Sequence, residues 1–153
     1  ANGDPNSTSG NLVPGYYVFA KNNVDANKIF KRTLNANHES NAMAVANKQV
    51  DVGTFNTEGW AMMEKKNPDI VKKLKIVWKS PEIPSDPLVW RKDMDDASKQ
   101  KIKTFLMSYG STPEEKKVLD ALGWSKFRES NNEQLKPIRE LEEFKKQAAA
   151  KAA

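Results

Sequence analysis

Three hydroxyl side chains stand in a row near the start of the chain, where a helix is predicted to begin. Ser7, Thr8 and Ser9 lie between Gly3 and Gly10 in the run Gly-Asp-Pro-Asn-Ser-Thr-Ser-Gly. Hydroxyl donors beside the unpaired N–H groups and the positive dipole end of a helix favour an anion. One serine would be enough for ordinary helix capping, so the run indicates an anion-binding loop. It lacks the Gly-Lys-Ser/Thr ending of a nucleotide-binding loop.

Three further side chains are candidates for the same site. His38, the one histidine of the sequence, precedes a predicted helix. It is either a surface or capping residue or a hydrogen-bond donor to an oxyanion. Glu58 is predicted at a helix start, where an acid is favourable in any protein, and Asp86 can form a turn in its proline-rich crossover. Two acids repel a dianion unless the ligand also carries a cation, so the set does not suit a pure phosphate site.

A metal-dependent phospho-hydrolase is the enzyme alternative, built from Asp4, His38, Glu58 and Asp86. Such an enzyme needs a nucleophile activated by an oriented base, or metal ligands at helical spacing such as His-x-x-x-His. The sequence has neither pattern. The absence of cysteine also excludes a thiolate nucleophile, a disulfide and cysteine-bound zinc. We therefore expect a non-enzyme without a metal site or a cofactor.

The charge pattern suits solvated helix faces. The net charge is +5, and the lysines alternate with acids at helical spacing. Arginine is scarce, so a nucleic-acid partner is not expected. An interaction module that uses the lysine-rich helices is a third alternative. The apolar runs are far shorter than the ~20 residues that cross a bilayer, and the first residues do not resemble a signal peptide. We expect a mature chain or one whose front has been removed.

Helices and short strands alternate in the first half of the predicted structure. Apolar spacing predicts helices beginning near 7–9, at 25–32, around 42–46 and at about 58–66. Ile29 and Phe30 are expected to face inward. Strands are predicted at 50–54, 74–78 and 88–91. This alternation predicts an α/β fold with a short, largely parallel sheet flanked by helices.

Only helices are predicted after residue 91. One apolar face is formed by Ile102, Phe105, Leu106 and Tyr109. The next helix opens with a cap, a proline and two acids at 112–115 and ends at Gly123. Its core side is Val118, Leu119 and Leu122. The last helix has an apolar stripe of Leu135, Ile138, Leu141 and Phe144 and runs into an alanine-rich tail at 148–153.

Ordered motifs along nearly the whole chain resemble the phosphonate-binding proteins of bacterial ABC importers. The first is the glycine-flanked hydroxyl run at 3–10. The others are Val-Pro-Gly-Tyr-Tyr-Val-Phe-Ala-Lys-Asn-Asn (13–23), Asn-Ala-Asn-His-Glu-Ser-Asn-Ala (35–42), Ala-Asn-Lys-Gln-Val-Asp-Val (46–52), Asn-Thr-Glu (56–58), Ile-Pro-Ser-Asp-Pro-Leu-Val-Trp-Arg-Lys (83–92), Tyr-Gly-Ser-Thr-Pro-Glu-Glu-Lys-Lys-Val-Leu (109–119) and Leu-Gly-Trp-Ser-Lys-Phe-Arg (122–128). The likeness ends only in the alanine-rich tail.

The resemblance implies a two-lobed receptor that closes on an alkylphosphonate such as 2-aminoethylphosphonate. It implies that the phosphonate oxygens are bound by Ser7, Thr8, Ser9 and His38. The amino group of the ligand would be bound by Glu58 and Asp86. Oxyanion donors at one end and two carboxylates at the other suit such a dipolar ligand. A phosphate, phosphite or methylphosphonate receptor of the same fold is the alternative.

The resemblance also implies that the chain is only part of such a receptor. Residues 1–84 would form the second lobe, of the type II periplasmic-binding-protein kind. Residues 85–147 would form a crossover strand and C-terminal helices that belong to the first lobe, followed by the tail at 148–153. The first lobe itself, which adds aromatic residues to the pocket, is missing, so the apolar helix stripes are expected to lack their usual partner. The expected partners are a phosphonate and the membrane permease subunits, in the periplasm or on an extracytoplasmic lipoprotein.

Overall fold

The structure, a computed structural model, describes residues 1–152. Its α-helices are α1 (Ala26–Ile29), α2 (His38–Ala46), α3 (Thr57–Lys66), α4 (Pro68–Val71), α5 (Asp96–Ser108), α6 (Pro113–Leu122) and α7 (Lys136–Ala152). Before them lie two π-helical segments, Thr8–Leu12 and Gly15–Phe19, and a 3₁₀ turn, Ala20–Asn22; another 3₁₀ turn, Asn132–Leu135, precedes α7. Within residues 1–152 no helix is both long and apolar enough to cross a membrane.

Three short segments pair in parallel at the start of the fold. Asn2 donates its N–H to the Leu34 carbonyl (2.7 Å) and accepts from the Ala36 N–H (3.0 Å). On the other side, the Ala1 nitrogen donates to the Val52 carbonyl (2.7 Å), and the Ala1 carbonyl accepts from the Thr54 N–H (3.0 Å). Both pairs follow the hydrogen-bond pattern of a parallel bridge. Residues 1–3 therefore lie between residues 34–36 and residues 52–54.

None of the three predicted strands forms as a regular strand within residues 1–152. The segment at 50–54 makes two backbone hydrogen bonds with Ala1 but no regular ladder among the described residues. Residues 74–78 and 88–91 have no ladder partner among the described residues. Apart from the half-buried Leu74, their apolar side chains are exposed, with Val77 at 79% and Val89 at 83%. Periodicity and composition predict which residues suit a strand, but a strand also needs a neighbour to pair with.

The chain divides into two compact units. The first is Ala1–Ile83 together with Leu135–Ala153, described up to residue 152, and the second is Pro84–Gln134. The core of the first contains Leu12, Val13 and Leu141, with Tyr16 and Ile138 packed against it. Leu141 comes from α7 and is only 6% exposed. Phe144, one turn further, meets Tyr16 edge to face with ring centroids 4.9 Å apart. The turns after the hydroxyl run thus cover part of the α7 stripe, while the expectation that it lacks the first lobe as its usual partner stays a prediction.

The second unit contains α5 and α6. The predicted start of α6 is confirmed, since Thr112 and Glu115 form a reciprocal capping box and Pro113 is the first helical residue. Gly123 ends it with φ +73°, a left-handed conformation that favours glycine. Leu119 is buried, whereas Val118 and Leu122, predicted on the same core side, are about half exposed. On α5, Phe105 is 59% exposed and so lacks a covering surface within this unit.

The helix predicted at 25–32 is shorter than expected. Asp25 caps α1 by accepting the Asn27 N–H (2.9 Å), but the helix ends at Ile29 and Phe30 is already extended. Ile29 and Phe30 are exposed rather than inward. A single turn buries too little apolar surface to continue, so Phe30 instead contacts the ring of Phe19 at 5.9 Å. The predicted helix at about 58–66 is confirmed as α3.

Candidate functional site

Each of the three paired segments leads into a capped helix start. Ser7 caps the π-helical segment Thr8–Leu12 after residues 1–3, Asn37 caps α2 after residues 34–36, and Asn56 caps α3 after residues 52–54. Parallel segments end at one edge, so the three helix N-termini lie on the same side of the pairing. Their N–H groups and dipoles make this edge attractive to an anion.

The loop from Gly3 to Gly10 folds back tightly on itself. The Gly3 N–H donates to the Gly10 carbonyl at 2.8 Å, and the Ser7 Oγ accepts the Gly10 N–H at 3.0 Å. A Cβ on Gly3 would come within 2.7 Å of the Gly10 Cα, and one on Gly10 within 3.0 Å of both the Ser7 Oγ and the His38 ring. Only glycine fits at either position. Ser7 is an ordinary helix cap. Thr8 and Ser9 do not cap the helix, and both are partly exposed.

The structure brings Ser9 and His38 together. The Ser9 Oγ lies 3.2 Å from the His38 Nε2, within hydrogen-bonding distance. His38 is the first residue of α2, but the cap is the Asn37 side chain, which accepts the Ser40 N–H at 2.8 Å. The His38 Nδ1 is buried and has no hydrogen-bond partner among the described residues. Of the two readings of His38, capping is thus excluded, and one ring nitrogen faces the hydroxyl run.

Two residues next to the predicted ones were missed by sequence reasoning. The Thr54 hydroxyl donates to the Gly10 carbonyl at 2.7 Å and accepts the Gly3 N–H at 2.9 Å. Phe55 meets the His38 ring edge to face with centroids 5.9 Å apart and contacts Trp60 at 6.2 Å. A threonine and a phenylalanine after a predicted strand are common in any fold. Their position directly before the Asn56 cap was the one available signal.

The two predicted acids occupy different units. Glu58 is the second residue of α3 and is exposed at the edge that carries the hydroxyl run and His38. Asp86 is an exposed residue of the unit Pro84–Gln134. The structure therefore groups Ser7, Thr8, Ser9, His38 and Glu58 at one edge, while the ligand-binding roles of all these residues and of Asp86 stay predictions. Asp4, the remaining residue of the hydrolase alternative, is exposed and accepts the Asn6 N–H at 2.9 Å.

A metal centre finds no support in the arrangement of the side chains. Among residues 1–152 no group of three or more histidine, aspartate or glutamate side chains is placed to hold a metal ion. The chemistry available at the edge is hydrogen-bond donation from hydroxyls, an imidazole and helix N–H groups. Such donors bind an oxyanion.

Comparisons with known proteins identify relatives of the whole chain. Residues 1–135 match the family of periplasmic substrate-binding proteins of phosphonate ABC transporters. The phosphonates-binding periplasmic protein of Escherichia coli is 60% identical over 99% of this chain and 44% of its own length. A Prochlorococcus marinus protein described as a probable phosphite-binding protein of an ABC transporter is 25% identical over 91% of this chain and 49% of its own length.

A solved structure supports the same relationship. The crystal structure of a binding protein component of an ABC phosphonate transporter from Pseudomonas aeruginosa superposes with a TM-score of 0.87 and 63% identity, covering 95% of this chain and 48% of the other. The chain thus spans about half the length of the relatives it matches. On the family match over residues 1–135, this chain belongs to the periplasmic substrate-binding proteins of phosphonate ABC transporters.

Proposed function

We propose that the protein containing this chain is the substrate-binding component of a phosphonate ABC importer. It would bind an alkylphosphonate between two lobes and deliver it to the permease in the membrane, from the periplasm or from an extracytoplasmic lipoprotein anchor. This chain would supply the second lobe. The observation that carries the proposal is the 3.2 Å approach of Ser9 Oγ and His38 Nε2 beside a capped helix start, in a member of this family.

The phosphonate group would be held at the hydroxyl run. Ser7, Thr8 and Ser9 contribute hydroxyls at the start of one helix, and His38 stands at the start of another. The hydroxyls and the imidazole N–H can all donate hydrogen bonds to an oxyanion. Hydrogen bonds to an ionised oxygen are about twice as strong as neutral ones, so a small number of donors can hold a dianion.

The finer part of the proposal is an aminoalkyl ligand such as 2-aminoethylphosphonate. Glu58 lies at the α3 start on the same edge, where a free carboxylate would repel a simple phosphate. A ligand with an ammonium group removes that conflict, since Glu58, together with Asp86 from the second unit, would then bind the cation.

A phosphate, phosphite or methylphosphonate receptor is the second candidate. The relative from Prochlorococcus marinus, described as a probable phosphite-binding protein, is the observation in its favour. Such ligands have the oxyanion but no amine, so they would use the hydroxyl run and leave the acids unpaired. The 60% identity to the Escherichia coli phosphonates-binding protein, against 25% here, favours the phosphonate.

Calorimetric titration of the full-length protein tests the proposal. We expect 2-aminoethylphosphonate to bind most tightly and methylphosphonate, phosphite and phosphate more weakly. Binding of phosphite or phosphate ahead of both phosphonates would contradict the phosphonate function and support the second candidate. A protein that binds none of these anions would contradict both.

A further inference from the structure

The carbonyl of Gly10 has lost its usual helical partner. In an α-helix it would accept the N–H of the residue four positions on, which here is Pro14, and proline has no N–H. The surrounding turns are widened, with the Leu12 N–H bonding the Ser7 carbonyl and the Val13 N–H bonding the Thr8 carbonyl. The Gly10 carbonyl is therefore available to a donor from outside the helix.

The Thr54 hydroxyl takes that place and also holds the other end of the loop. Its hydrogen is donated to the Gly10 carbonyl at 2.7 Å, while its oxygen accepts the Gly3 N–H at 2.9 Å. The backbone of Thr54 is fixed in turn, since its N–H bonds the Ala1 carbonyl at 3.0 Å and its carbonyl accepts from the buried Asn41 side chain at 3.4 Å. The Thr54 side chain is thus hydrogen-bonded to both glycines that flank the hydroxyl run.

We propose that Thr54 is a positioning residue for the anion-binding loop. By fixing the Gly10 carbonyl it sets where Ser9 stands, and hence the 3.2 Å separation of Ser9 Oγ and His38 Nε2. Its hydroxyl is engaged by Gly10 and Gly3, so Thr54 acts on the ligand through the loop. The inference rests on the proposed function and extends it by one residue outside the predicted site.

Three variants of the full-length protein test this role with methylphosphonate as the probe. Thr54→Val keeps the shape but removes both hydrogen bonds, and it should weaken binding about tenfold or more because the Gly10 carbonyl and Gly3 N–H lose a partner. Thr54→Ser keeps the hydroxyl and should bind within about threefold of the unaltered protein. Thr104→Val, on exposed α5, is the matched control and should bind unchanged.

Two further readouts separate positioning from a general loss of structure. The imidazole resonances of His38 should shift in the ligand-free Thr54→Val protein but stay in place in Thr54→Ser. Hydrogen exchange of the Gly3 amide should be faster in Thr54→Val than in Thr54→Ser, because in the valine variant the Gly3 N–H keeps only its bond to the Gly10 carbonyl.

Equal exchange of the Gly3 amide in Thr54→Val and Thr54→Ser would overturn the inference, as would Thr54→Val binding equal to the unaltered protein. Equal losses in Thr54→Ser and Thr54→Val would also overturn it. Failure of the unaltered protein to bind any phosphonate would instead contradict the proposed function. The two ideas therefore fail in different ways.

Discussion

The hydroxyl of Ser9 and the imidazole of His38 lie 3.2 Å apart, Oγ to Nε2, although 29 residues separate them in the chain. Each stands near the start of its own helix, one beginning at Thr8 and the other at His38. Two polar side chains from different helix starts are thus brought into hydrogen-bonding distance, and we propose that they share a bound oxyanion.

Removing His38 should weaken every phosphonate to a similar extent. Loss of one charge-assisted hydrogen bond costs about 1–3 kcal/mol, and His38→Ala removes it for 2-aminoethylphosphonate and methylphosphonate alike. Calorimetry with both ligands measures the two losses. Ser40→Ala, an exposed change in the first turn of α2, is the control and should leave both affinities unaltered. If His38→Ala left both affinities unchanged, His38 would not be a ligand-binding residue.

The acids should discriminate between ligands instead. Glu58→Ala and Asp86→Ala each remove a carboxylate assigned to an ammonium group, so binding of 2-aminoethylphosphonate should fall by about 1.5–3 kcal/mol while methylphosphonate is little affected. Competition binding with the two ligands gives the difference directly. Glu39→Ala, in the first turn of α2, is the matched control. Equal losses for the two ligands would refute the assignment of these carboxylates.

The isolated chain should bind 2-aminoethylphosphonate more weakly than micromolar. The chain spans 44% of its Escherichia coli relative, so we expect it to lack half of the pocket and the closure that excludes water. Calorimetry on the chain alone and on the full-length protein compares the two. A Kd at or below about 1 μM for the isolated chain would show that one lobe is sufficient.

Two glycines of the first helical region should respond oppositely to alanine. Gly10→Ala forces a Cβ against the Gly3 backbone at 2.8 Å, so it should destabilise the fold by about 1–3 kcal/mol and disrupt the loop. Gly15→Ala meets no heavy atom within 4 Å and lies in a helical segment, so it should be neutral or stabilising by up to about 1 kcal/mol. Denaturant unfolding checks both. A harmless Gly10→Ala would disprove the tight Gly3–Gly10 approach.

The start of α6 should loosen in acid. Backbone hydrogen bonds from Thr112, and then from Gly110 and Ser111, hold the pKa of Glu115 below its ordinary value. A lowered pKa means that the stabilisation is complete above the ordinary glutamate pKa and is lost as the pH falls through the folded value. Hydrogen exchange of the Gly110 and Ser111 amides between about pH 6 and 3 should therefore speed up beyond the intrinsic pH dependence.

Glu115→Gln should abolish that extra pH dependence. Glu114→Gln removes a carboxylate from the same turn but leaves the three hydrogen bonds, so its profile should match the unaltered protein. Identical profiles for the two variants would mean that Glu115 does not hold the turn.

Locally encoded features were predictable from the sequence. The threonine, proline and acids at 112–115 and Gly123 mark both ends of α6 within a few residues, and the structure has them as predicted. The hydroxyl run at a helix start was also predictable, and the structure has Ser7 as the cap of the segment Thr8–Leu12. The resemblance of the chain to phosphonate-binding proteins is confirmed by the family match over residues 1–135.

Features that depend on distant backbone atoms were not predictable. The segment at 50–54 has strand-forming residues, but its backbone partner Ala1 lies 51 residues from Val52 in the chain. Thr54 is significant because of Gly3 and Gly10, which are 51 and 44 residues away in the chain. Burial of Leu141 in the α7 stripe likewise depends on Leu12 and Val13. A one-dimensional pattern contains none of these pairings.

The order of the three paired segments in the chain affects when the loop from Gly3 to Gly10 can fold. The middle segment comes first in the chain, and its neighbours follow about 33 and 52 residues later. Closing loops of that size costs conformational entropy before the paired segments can stabilise each other, so contacts between such distant residues form slowly. The local helices α2 and α3 can therefore form early, and we expect the edge of the proposed anion-binding site to form last. A stopped-flow refolding experiment should show helix signal recovering before ligand binding.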